Sequence, residues 1–133
     1  MNNFEELEVW RMCRKFRNDL SILVKAFPME ERYRIIDQLL RSSRSITTNI
    51  AEGYGRFNHQ EKIRFCRQAR GSLSEALDHL LWAYDEGYIN NHQLEEFKIQ
   101  YYQCLNLLNG YILYLKKKKA EGWTKHNSIT KPA

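Results

Sequence analysis

The sequence is poor in helix breakers. Two prolines, Pro28 and Pro132, and six glycines in 133 residues leave long tracts free for continuous helix. No alternating apolar–polar run competes as a strand signal. Long apolar runs are missing too. The longest, "LLWAY" and "YILYL", fall far short of the ~20 residues a membrane-spanning helix needs. The opening "MNNFEELEVWRM" lacks a signal peptide's basic-then-apolar order, so a cytoplasmic protein without a membrane partner is expected. Three cysteines, Cys13, Cys66 and Cys104, make no CxxC pair and no metal-ligand spacing. Each falls on an apolar helical face and reads as a small, reduced core residue.

The residues of catalysis are equally scarce. There is no Gly-rich phosphate loop and no Ser/His/Asp or Cys/His neighbourhood that sequence can indicate. Di-iron bundles need repeated Glu-x-x-His pairs with further carboxylates. Here Glu75, Asp78 and His79 lie close together, but no second histidine matches them, and Glu75–His79 at i, i+4 reads as a surface pair. The spacing of arginine and histidine used by some helical-bundle ribonucleases does not occur. The expectation is a non-enzymatic protein with no cofactor and no metal.

What is present is hydrophobic periodicity. At 43% hydrophobic and 28% charged residues the chain is an ordinary soluble globular sequence, and its length suits one domain burying roughly two-thirds of its unfolded surface. Phe4, Leu7, Trp10, Cys13, Phe16, Leu20, Leu23/Val24 and Phe27 recur at steps of three and four, predicting a helix over about 4–26 capped by Asn2 or Asn3. After "FPMEE" a second helix is expected over 29–52, with Ile36, Leu39/Leu40, Ser43, Ile46/Thr47, Ile50 and Tyr54 inward. Gly53 and Gly55 stand where it should end, in the left-handed conformation that glycine accepts. "NHQE" has the form of a capping box and opens a third helix, 59–86, stopped by Gly87. Tyr84 is expected inside it. Asn90 or Asn91 opens the fourth, 91–119, and a polar tail, 120–133, reads as disordered. Four such tracts with short connections predict an all-α fold, an antiparallel up-down-up-down four-helix bundle over residues 1–119.

Within the second tract, Ser42, Ser45, Asn49 and Glu52 form a stripe beside the apolar one, leading to Gly53 and Gly55. Small polar residues are poor helix formers because their side chains compete for backbone hydrogen bonds. The stripe therefore has a tertiary purpose: close packing within the chain, a subunit interface, or a ligand surface. Asn49 is the member expected to be buried and bonded.

The net charge of +5 is unevenly spread. Residues 1–40 balance seven bases against seven acids, residues 41–70 carry +5, residues 71–115 carry −5, and the remainder carries +5. Such separation gives the molecule a directed field suited to a polyanion. The nucleic-acid-binding candidates are Arg41, Arg44, Arg56, Lys62, Arg64, Arg67 and Arg70, with Lys116, Lys117, Lys118 and Lys119. Arg64 and Arg67 share a face at i, i+3, as do Arg41 and Arg44, so phosphate contacts can line up. No RRM, KH, zinc-finger or helix-turn-helix signature accompanies them. Exposed aromatics such as Tyr54, Phe57, Tyr88 or Tyr102 would instead suit a protein partner.

"FPMEERYRIIDQLLRSSRSITTNIAEGYGR" followed by "FCRQARGSLSEALDHLLWAYDEGYI" resembles the family of 23S ribosomal-RNA intervening-sequence proteins over roughly residues 5–115. The most specific parts are Phe27-Pro28, Glu31-Arg32-Tyr33, Asn49 to Gly53, Gly55-Arg56, and Gly71-Ser72 with Glu75. Thr47 stands where the family's pattern usually has proline. The resemblance implies a small four-helix bundle that self-associates as a ring, often a homopentamer, with no established catalytic residues. A related group, accessory proteins of diversity-generating retroelements, resembles it in fold and binds nucleic acid and a reverse transcriptase. Two functions are therefore carried forward. One is an oligomeric bundle binding RNA or DNA through a basic face without strong sequence specificity. The other is a scaffold binding another protein, such as a reverse transcriptase or a ribosome-associated factor.

Overall fold

A computed structural model describes residues 3–130, with side chains described as far as residue 122. Its regular elements are four α-helices, α1 (Glu8–Leu23), α2 (Ile35–Tyr54), α3 (His59–Asp85) and α4 (Asn91–Thr130), with no strand among the described residues. The all-α expectation holds. Boundaries differ from the sequence reading in ways that local geometry explains.

The first tract is broken. Asn3 caps a short 3-10 turn, Phe4–Glu6, its Oδ1 accepting from the Glu5 amide at 2.8 Å. Leu7 is extended, with ψ 125°, before α1 begins, and a second 3-10 turn spans Val24–Ala26. Pro28 precedes a third, Met29–Glu31, so α2 starts only at Ile35. At the other end, the backbone of α4 continues beyond 119 to Thr130, and residues 131–133 of the expected tail lie outside the described residues.

Capping follows side-chain chemistry. Asn58 Oδ1 accepts from the Glu61 amide at 2.8 Å and starts α3. Asn90 and Gln93 form a reciprocal pair, each side-chain oxygen accepting from the other's amide at 2.8 and 2.9 Å. This satisfies two amide donors left free by the start of α4. The α3–α4 turn closes on Gly87, whose φ of +79° is left-handed. The Tyr88 amide donates to Ala83 O at 2.9 Å and the Gly87 amide to Tyr84 O at 3.0 Å. This is the double bond of a Schellman stop.

Each helix touches two others, α1 with α2 and α4, and α3 with α2 and α4. Phe16, Leu20, Leu39, Ile46, Ile50, Leu73, Leu80 and Leu108 are fully buried between them, each side chain stabilising the fold by roughly 1.5–3 kcal/mol. Tyr84, expected inside, is exposed. His79, read as half of a surface pair, is buried, with Nε2 3.4 Å from Oε1 of an exposed Glu75.

The α2–α3 contact is the most extensive, and the small-residue stripe makes it. Ser45 Oγ lies 2.9 Å from Ser72 Oγ, and Asn49 Nδ2 donates to Ser45 O and Oγ at 2.9 and 3.0 Å. Asn49 itself is half-buried, and Glu52 is exposed. Gly53 is buried, and a Cβ there would come 2.8 Å from Phe65 Cβ. Gly55 has φ −77°. Neither glycine uses the left-handed conformation: Gly53 is required by close approach of α3, not by the helix end. Ser42 and Ser43, both buried, donate to the carbonyls of Leu39 and Leu40 on their own helix. On the α3–α4 side, Arg70 Nη1 donates to Asn109 Oδ1 at 2.9 Å, and Lys119 reaches Gln60.

Candidate nucleic-acid interface

The α2–α3 turn gathers positive charge around two rings. Gly53 lets Phe65 seat against the end of α2, leaving that ring 7% exposed. Arg56, just past α2, and Arg64, on α3, each bring Cζ to 4.8 Å from the Phe65 centroid. Lys62 Nζ lies 5.4 Å from the Tyr54 ring. Cations are held at such distances by the negative face of an aromatic ring. Phe57, in the turn itself, is 100% exposed. The lysine run of α4 closes in from the other side, where Lys119 Nζ donates to Gln60 Oε1 on the first turn of α3.

Arg56, Lys62, Arg64 and Lys119 thus come to one end of the molecule. Among the described residues, Arg56 alone of the four faces a carboxylate, Glu52 Oε2, at 3.6 Å with both side chains substantially exposed, a pair worth little in water. Lys116 and Lys117 are exposed on the same helix as Lys119; Lys118 pairs with Glu121 at 3.4 Å and lies 5.8 Å from the Tyr114 ring.

The other candidates stand elsewhere. Arg41 sits 3.6 Å from Asp37, and Arg70 is tied to Asn109. Arg67 is exposed along α3. Arg44 is ~18 Å from Arg56 along the axis of α2, beside Arg17 of α1, a residue the sequence reading passed over. Arg17 Nη1 donates to Thr47 Oγ1 at 2.9 Å. Phe65 was also passed over, because it lies off the apolar period; the nearby Gly53 is the one signal that could have pointed to it. Of the four aromatics offered for protein contact, Phe57 and Tyr102 are exposed. Tyr54 is half-buried, and Tyr88 is half-buried with its hydroxyl donating to Glu31 at 3.0 Å.

Among the described residues, no group of three His, Cys, Asp or Glu side chains comes together to hold a metal. A hydrogen bond with Cys104, together with burial, pushes the Cys13 thiol well above the ordinary range. Burial pushes Cys66 up to about 11. Both stay protonated and inert near neutral pH. No helix among the described residues is long and apolar enough to cross a membrane.

Fold and site together define an all-α protein of four helices with a basic, aromatic-lined end. The sequence model of the 23S rRNA-intervening sequence protein family matches residues 5–110, and the chain belongs to that family. No curated protein matches it.

Proposed function

We propose that this is a non-enzymatic, self-associating bundle that binds RNA or DNA at the end formed by Arg56, Lys62, Arg64 and Lys119. The observation that carries the reading is the convergence of three cations on the rings of Phe65 and Tyr54, beside a wholly exposed Phe57. Cationic side chains track a phosphate backbone, and an exposed ring accepts an unpaired base by stacking. Such contacts favour polyanions without strong sequence choice. The family's name, with its reference to ribosomal RNA, favours RNA over DNA. The protein works in the cytoplasm, where that RNA is found.

The helices alternate in direction. Gly53 packs on Phe65 and Ser45 on Ser72, while Lys119 meets Gln60 and Asn109 meets Arg70. In both of these pairs, α2 with α3 and α3 with α4, residue numbers rise on one helix as they fall on the other, which supports an up-down-up-down bundle. Self-association uses the outer side of α4, where Ile99, Tyr102 and Leu113 are each more than half exposed on one helical face. A ring of copies would repeat the basic end and multiply a weak contact by avidity. The same face favours the second reading, a scaffold whose α4 receives a different protein.

Light scattering with and without a structured RNA separates these readings. A mass increase at low salt that reverses at high salt supports nucleic-acid binding. An assembly indifferent to RNA at low salt contradicts it and leaves the scaffold.

A further inference from the structure

The α1–α2 groove presents a second, separate concentration of positive charge. Arg17, Asn18, Ser21, Leu40, Arg44, Thr47 and Thr48 line a cavity of about 440 Å³. Two guanidinium groups, three hydroxyls and one amide face it, and no carboxylate does. Arg17 is half-buried and, among the described residues, its hydrogen bonds go to neutral groups, Thr47 Oγ1 at 2.9 Å and Asn18 Oδ1 at 3.3 Å. Arg44 has no ion-pair partner among the described residues. Asp19, two residues along from Arg17, is engaged elsewhere, with Lys15 and Gln100.

Like charges crowd here without relief. Burial, then Arg14 and Arg44, draws the Arg17 guanidinium below its ordinary pKa, and nothing acts in the opposite direction. Arginine cannot escape this by losing its proton near neutral pH. The bonds to Thr47 and Asn18 leave Arg17 with further N–H donors, and Arg17 lines a polar cavity.

We infer that the α1–α2 groove binds a phosphate group, with Arg17 and Arg44 taking its oxygens and Ser21 or Thr48 supplying hydroxyl contacts, while the Thr47 hydroxyl, which donates to Arg44 O at 3.1 Å, holds Arg17 in place. A guanidinium fork matches two oxygens of a tetrahedral dianion, and hydroxyls complete the shell. The volume suits a ligand of nucleotide size. Binding here does not depend on the basic end: Arg44 and Arg56 are ~18 Å apart along α2. The phosphate can belong to inorganic phosphate, to a mononucleotide, or to the 5′ end of an RNA strand.

The test is calorimetric titration of the full chain at constant ionic strength with three probes: inorganic phosphate, adenosine monophosphate, and a short oligoribonucleotide with and without a 5′-phosphate. Saturable binding is expected, at least tenfold weaker in Arg44→Gln and unchanged in Lys25→Gln, an exposed position in neither binding surface. Arg44 is exposed, so this variant folds even if Arg17→Gln does not. Tighter binding of the mononucleotide than of inorganic phosphate assigns the source to a nucleotide. Dependence on the 5′-phosphate of the oligonucleotide assigns it to an RNA end. Equal binding of all phosphate forms assigns it to free phosphate. Absence of saturable binding to every probe, or affinity unaltered by Arg44→Gln, overturns the inference. Loss of oligonucleotide binding in Arg64→Glu with phosphate binding intact would separate this groove from the basic end.

Discussion

Single residues carry the sharpest consequences. Gly53→Ala places a methyl 2.8 Å from Phe65 Cβ and 3.3 Å from the Lys62 carbonyl. Neither neighbour is the end of a flexible chain, so the fold is expected to lose ~1–3 kcal/mol by overpacking, read from urea unfolding. Gly71→Ala is the control. It lies mid-helix, exposed, with nothing within 4 Å of a new Cβ, and should stabilise by ~0.5–1 kcal/mol. Equal effects of the two changes would contradict the packing described for Gly53. Cys66 makes a prediction in pH. In the folded protein it keeps its proton up to about 11, whereas the unfolded thiol ionises near 9.0. Raising the pH therefore favours the unfolded chain. The contribution is intact below pH 9 and lost as pH climbs through 11, on the order of 2 kcal/mol. Tyr111, pushed up to about 12 by burial, acts in the same direction. Unfolding curves of wild type and Cys66→Ala between about pH 8 and 11 check this: the variant should lose less stability across the range.

At the scale of elements, the small polar stripe of α2 holds α2 against α3. The Ser45–Ser72 contact at 2.9 Å is expected to show a coupling of ~0.5–1.5 kcal/mol in a double-mutant cycle of alanine substitutions; additivity would mean the hydroxyls merely tolerate one another. The four helices and their inward faces were legible because a 3.6-residue period persists wherever one side of a helix is buried. The break at Leu7 was not, since neither proline nor glycine marks it and its ψ of 125° is open to any residue. Gly53 was misread for a related reason. Sequence shows a glycine near a helix end, while the cause is Phe65 on the following helix, brought against it by folding and unmarked in the local pattern around Gly53. Arg17 was hidden by balance: seven acids offset seven bases over residues 1–40, yet in the fold Arg17 bonds Thr47 and Asn18. The basic run at 41–70 was legible as composition, but only the folded chain separates Arg56, Lys62 and Arg64 from Arg41 and Arg44.

At the scale of the whole molecule, Ile99, Tyr102 and Leu113 are exposed on the outer face of α4, the surface proposed to receive another copy. Leu113→Asp, exposed and outside the core, should reduce the mass seen by light scattering while leaving helix content unchanged. Retention of the full assembly would move the subunit contact elsewhere. The basic end offers Arg56 and Arg64 beside Phe65, and nucleic-acid binding there is the central claim. The most direct measurement is the dissociation constant for a structured RNA over a series of salt concentrations, in wild type and in Arg56→Glu/Arg64→Glu. Each phosphate contact contributes roughly −0.7 to −0.9 to the slope of log affinity against log salt. The wild type should bind at low salt with a steep negative slope, and the charge-reversed protein should bind at least tenfold more weakly with a shallower one. Equal affinity and equal slope in the two proteins would contradict the account.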